Sequence, residues 1–98
     1  METKKYAANS VMIGRKPRIG NDKYKTAIVS LFTKNNPHKT GEVPKQMLEY
    51  PNIEKVRINH LVNVSYYLEG NDIVVNDLAE VTVSLDKHIL TITGRQSI

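Results

Sequence analysis

From Lys55 to Gly94 the chain alternates apolar and polar residues with few breaks. Val56, Ile58, His60, Val62, Val64, Tyr66 and Leu68 share one parity. Lys55, Arg57, Asn59, Asn63, Ser65 and Glu69 share the other, with Leu61 and Tyr67 as apolar exceptions. Period two belongs to the β-strand, whose successive side chains leave opposite faces of a sheet. This stretch is therefore committed to sheet with one buried face. Two turn signals divide it. Gly70-Asn71 is a two-residue hairpin link of the mirror-image type, and Asp86-Lys87, which lacks glycine, is a weaker one.

Taken as two-residue loops, these turns define a register. Across the first, Leu68 faces Ile73, Tyr66 faces Val75, Val62 faces Ala79, His60 faces Val81, Ile58 faces Val83 and Val56 faces Leu85. Across the second, Leu85 faces His88, Val83 faces Leu90 and Val81 faces Ile92. The outcome is an antiparallel three-stranded meander with one face almost wholly apolar, and a one-residue slip would destroy it. Asp77 alone breaks that face, opposite Val64. We read Asn76-Asp77 as a β-bulge, a buried functional acid being the alternative.

A bare three-stranded sheet is marginal in water, so the apolar face needs a cover. Tyr24, Ala27, Ile28, Leu31 and Phe32 follow the i, i+3, i+4, i+7, i+8 spacing of an amphipathic helix. Asn21 or Asp22 would cap it and Asn35-Asn36-Pro37 would end it, a strand being the competing reading because Ile28, Val29 and Phe32 suit one. A second short helix is expected from Pro44, carrying Met47 and Leu48 inward and stopped at Tyr50-Pro51-Asn52. Asn36 to Glu42 reads as a loop, and Val11, Met12 and Ile13 as an edge strand. The expected fold class is α+β: an antiparallel meander in the C-terminal half packed by one or two short helices. A small all-β barrel is the alternative. Residues 9 to 15, Asn-Ser-Val-Met-Ile-Gly-Arg, resemble the opening strand of OB-type barrels, but three consecutive C-terminal strands depart from the OB order. A winged helix would place a recognition helix on Ile53 to Leu68, where period two fits better than a helical repeat.

With 98 residues the chain is one domain, 1–98, long enough for one modest core. It has no cysteine, which excludes disulfides, thiolate metal sites and cysteine catalysis. No apolar run reaches the length of a transmembrane helix, and no apolar segment follows the charged start, so we expect a cytoplasmic protein with no membrane partner. Asn63-Val64-Ser65 matches a glycosylation sequon by chance inside a strand. His38, His60 and His88 stand at no metal-ligand spacing, and no nucleophile, phosphate-loop or dinucleotide motif occurs. The expectation is a non-enzyme with no metal, cofactor or small-molecule substrate.

The net charge of +4 is unevenly placed. Through Lys25 there are seven bases (Lys4, Lys5, Arg15, Lys16, Arg18, Lys23 and Lys25) against two acids, Glu2 and Asp22. From Leu61 onward two bases face five acids. The basic character belongs to an N-terminal arm, residues 1 to about 20, and such asymmetry points to a polyanion. Tyr6 and Tyr24 flank the densest segment, Gly14 to Asn21, and could stack on unpaired bases. The first functional expectation is a small DNA- or RNA-binding protein that uses Lys4, Lys5, Tyr6, Arg15, Lys16, Arg18, Lys23 and Lys25. The alternative is a structural or assembly protein that forms a homo-oligomer or docks a partner through the sheet's outer face at Leu61, Tyr67, Val74 and Leu78 or through a strand edge, and a winged-helix transcription regulator is the third reading.

Overall fold

The computed structural model describes residues 2–18, 21–34, 43–60, 66–70 and 72–96. Among them nine strands occur and no helix: β1 (Glu2–Tyr6), β2 (Ser10–Arg18), β3 (Asn21–Phe32), β4 (Gln46–Ile53), β5 (Lys55–His60), β6 (Tyr66–Glu69), β7 (Asp72–Val75), β8 (Leu78–Asp86) and β9 (Ile89–Gln96). They form a four-stranded sheet, β1-β8-β9-β5, and a five-stranded sheet, β4-β3-β2-β7-β6. The inner faces share one core. Val11, Ile13, Ala27, Val29, Leu31 and Val75 come from the larger sheet, and Leu78, Val81, Val83, Leu90 and Ile92 from the smaller. Full burial of each of the Val, Leu and Ile side chains contributes about 1.5–3 kcal/mol.

The fold is therefore all-β, and both expected helices are corrected to strands. Residues 24–32 lie in β3, whose inward Ala27, Val29 and Leu31 are buried, as are Ser30 and Phe32 on its other face. A strand buried on both faces loses its polar alternation, and the apolar run that results contains the helical spacing by coincidence. At Pro44 no helix starts: β4 begins at Gln46, with Leu48 half-buried and Met47 mostly exposed. Pro51 does not end β4. It lies on the sheet edge, where a missing N–H removes no ladder bond. The winged helix falls with the helices, and the barrel alternative falls because the sheets remain two separate ladders. The expected edge strand at Val11 to Ile13 is the middle strand of its sheet. The expected loop at residues 36–42 lies outside the described residues.

The meander is corrected in part. The β6–β7 hairpin has the expected register, Leu68 opposite Ile73 and Tyr66 opposite Val75, with Gly70 at φ 63°. In the β8–β9 hairpin Asp86 pairs with Ile89, so the loop is Lys87-His88, and Val83 faces Ile92 instead of Leu90. Moving a turn by one residue moves each partner by two, which leaves the side chains from Val81 onward on their own faces; the irregularity between Leu78 and Glu80 turns Leu78, expected on the outer face, into the core. β5 does not pair with β8. It runs parallel to β9, with Val56 beside Leu90 and Ile58 beside Ile92, because β1 occupies the free edge of β8. Asn76-Asp77 is not a bulge within one ladder but the crossing from the larger sheet to the smaller. Asp77 takes φ 62° there and is exposed, so the buried-acid alternative fails as well. Asn9 ties this crossing to the one between β1 and β2: its carbonyl accepts from Leu78 N at 2.9 Å, and its Nδ2 donates to the Leu78 carbonyl at 3.1 Å.

Candidate nucleic-acid interface

Five of the expected basic residues lie on one hairpin. β2 and β3 pair antiparallel, with Arg15 opposite Ala27, Lys16 opposite Thr26, Pro17 opposite Lys25 and Arg18 opposite Asn21. One end of this hairpin is anchored at the centre of the larger sheet by Val11, Ile13, Val29 and Leu31. The other end overhangs. The described register of β2 with β7 ends at Ile13–Ile73, and the chain beyond Asp72 reverses at Gly70. Gly14 is the close approach at that shoulder: a Cβ there would lie 2.7 Å from an Asp72 carboxylate oxygen. On the other side, β3 last pairs with β4 at Lys25–Ile53, after which β4 gives way to β5 in the smaller sheet. Residues 16–18 of β2 and 21–24 of β3 therefore run past the last described pairing with their outer neighbours. This end and its base carry Arg15, Lys16, Arg18, Lys23 and Lys25 against the single acid Asp22. For Arg15, Lys16 and Arg18 the description covers the backbone only.

The base of the overhang is pinned to the smaller sheet. The register shifts between Pro17 and Arg18, which gathers Asp22, Lys23 and Tyr24 into an irregular segment of β3. There the Tyr24 ring stacks on His88 with centroids 4.3 Å apart and planes at 29°. The Lys23 ammonium lies 5.4 Å from the Tyr24 centroid. An aromatic pair of this kind contributes about 0.5–1.5 kcal/mol. His88 Nδ1 is 2.8 Å from the Asn52 carbonyl oxygen, and the His88 carbonyl accepts from Glu54 N at 2.8 Å and Lys55 N at 3.3 Å. The loop of one hairpin thus holds both the chain crossing after β4 and the root of the basic end. Nothing in the spacing of His88 connects it to Tyr24, 64 positions away. Glu54, Asp86, Lys87 and Ile89 line the shallow depression beside it.

The remaining expected residues are elsewhere. Lys4 and Lys5 lie on β1 in the other sheet, opposite Val83 and Thr82. Lys4 forms an exposed ion pair with Glu2 at 3.7 Å. Tyr6 packs against the core and hydrogen-bonds Tyr50. Burial, then the neighbouring Tyr6 and Glu2, push the Tyr50 phenol up to about 12. The expected outer patch is not assembled by the described residues: Val74 and Leu78 are fully buried, Leu61 lies outside the described residues, and Tyr67 is described in backbone only, opposite Val74. Among the described residues the large exposed apolar side chains are Val43, Met47 and Leu68, and Met47 and Leu68 sit on strands at opposite edges of the sheet.

Among the described residues no group of three His, Cys, Asp or Glu is placed to hold a metal ion, and no helix is long and apolar enough to cross a membrane. Comparison of the chain with protein-family models, curated proteins and solved structures finds no match.

Proposed function

We propose that this chain binds nucleic acid through the basic end of the β2–β3 hairpin. The observation that carries this reading is the overhang. Lys16, Arg18 and Lys23, with the single acid Asp22, lie on a two-stranded end that runs past both neighbouring strands, and Arg15 and Lys25 stand at its base. A phosphate backbone offers the complementary charge, and each phosphate neutralised by Lys or Arg releases condensed counterions. The anchored half supplies rigidity, since the hairpin's inner residues are locked in the core and its root is clasped by His88. Lys4 and Lys5, on the other sheet, play no part in this interface.

The test is fluorescence anisotropy with labelled oligonucleotides across a series of salt concentrations. Wild-type binding should weaken steeply with salt. The Arg15→Ala, Lys16→Ala, Arg18→Ala triple variant should lose affinity, and its log–log salt slope should flatten by about 2.7 if each residue neutralises one duplex phosphate. A Lys4→Ala, Lys5→Ala variant serves as the charge control and should bind almost as the wild type does. Equal affinity and slope in the wild type and a folded triple variant would remove the hairpin from the mechanism.

A further inference from the structure

We infer that the ligand of this hairpin is duplex DNA, entered from the major groove. This rests on the nucleic-acid reading above and narrows it. Three observations carry it. The first is size. The overhang is a two-stranded ribbon, and the major groove of B-form DNA, about 12 Å wide and about 8.5 Å deep, admits such a ribbon. Residues 16–18 extend about 10 Å at roughly 3.3 Å per residue, which matches the depth of the groove. The major groove of A-form RNA is too narrow to be entered in this way.

The second observation concerns stacking. Single strands are held by aromatic rings open to unpaired bases. The two tyrosines nearest the basic segment in sequence are already engaged. Tyr24 stacks on His88, and Tyr6 packs on the core beside Tyr50. Phe32 is fully buried. A base would have to displace His88 to use the ring face that Tyr24 packs on it, giving up the clasp that roots the hairpin.

The third is the charge of the shoulders. Asp72 abuts Gly14 where β7 ends, and Glu54 and Asp86 line the depression at His88 together with Lys87. The acid at the β7 shoulder repels a phosphate there, and at the other shoulder two acids face one base. Attraction is therefore stronger at the projecting end than at its shoulders, unlike a channel of uniform positive charge for a single strand.

The experiment titrates the full chain into three labelled probes of one 20-nucleotide sequence: single-stranded DNA, duplex DNA and duplex RNA. Duplex DNA should bind at least tenfold tighter than either alternative at moderate salt. Methyl green, which occupies the major groove, should compete, whereas the minor-groove ligand netropsin should not. Tyr24→Leu should lower affinity for duplex and single strand by similar factors, as expected when the ring positions the hairpin and does not stack on a base. Equal or tighter binding to single strands or RNA would overturn the inference while leaving the broader reading intact. So would competition by netropsin alone, or a loss on Tyr24→Leu confined to single strands. Absence of binding to all three probes at low salt would overturn both.

Discussion

Of the described glycines, Gly94 on β9 has the least room for a side chain, and replacing it with alanine tests the packing of the two sheets. The residue pairs with Val81 on β8 and lies beside His60 on β5. A Cβ at this position would stand 2.5 Å from Leu78 Cδ2, 3.5 Å from Cδ1 and 3.6 Å from Cγ. Carbon atoms in favourable contact sit about 3.5–4.0 Å apart, so Leu78 must retreat by about 1 Å. It has little space to do so, because it is fully buried in the shared core. Overpacking of this kind costs about 1–3 kcal/mol. Removing a glycine from a strand interior returns about 0.5–1 kcal/mol. The expected net loss for Gly94→Ala is about 0.5–2 kcal/mol, and in a domain of this size each kcal/mol lowers Tm by about 4–8 °C. Urea denaturation followed by circular dichroism measures it. Leu78→Ala alone should cost about 2–5 kcal/mol. In the Gly94→Ala background it should cost less, since the new methyl enters the space that Leu78 vacates; the coupling should fall in the range of about 0.5–3 kcal/mol. A Gly94→Ala protein as stable as the wild type, or strict additivity in the cycle, would refute the reasoning.

Two further tests follow from backbone conformation and burial. Lys87 holds φ 56° as the first residue of the β8–β9 loop, a conformation that costs a side-chain-bearing residue about 1–2 kcal/mol; Lys87→Gly should therefore stabilise the protein by about 0.5–1 kcal/mol after glycine's own entropy is counted, measured as an increased urea midpoint with unchanged slope. Tyr50 should be seen in ultraviolet titration as a tyrosinate that forms only near pH 12, a phase absent from Tyr50→Phe. Because the folded phenol keeps its proton to about 12 while an unfolded one releases it near its ordinary value of about 10, the native state binds more protons between them, so this contribution to stability is whole below pH 10 and is lost as the pH climbs through that window.

Legibility in the sequence followed how local the deciding physics was. The Gly70-Asn71 link was readable because a residue that tolerates positive φ sat between two alternating runs, and the observed register of β6 on β7 matches the expected one. The second turn was misplaced by one residue because no glycine marked it, and the positive φ fell on a lysine. β3 was misread for the opposite reason. Ala27 to Phe32 is buried on both faces, so the alternation that would have declared a strand was absent. The basic residues of the hairpin were all named from charge alone. Their grouping with Lys4, Lys5 and Tyr6 was not upheld, because proximity in sequence says nothing about a chain that changes sheets between Tyr6 and Ser10. The stack of Tyr24 on His88 left no trace in any spacing.

By itself the sequence determined which side of β5, of β9 and of β8 from Val81 onward faces the core: Val56, Ile58, Val81, Val83, Leu90 and Ile92 all point inward in the structure as their parity requires. Parity is a property of the strand alone, set by the alternation of side chains along an extended backbone. Which strand lies beside which is not such a property, since any register that keeps the parity buries the same side chains. That choice was made by the tertiary structure. β1 took one edge of β8, β5 was left to run parallel to β9, and β2 was carried to the middle of the other sheet with Arg15, Lys16 and Arg18 beyond its last described pairing with β7.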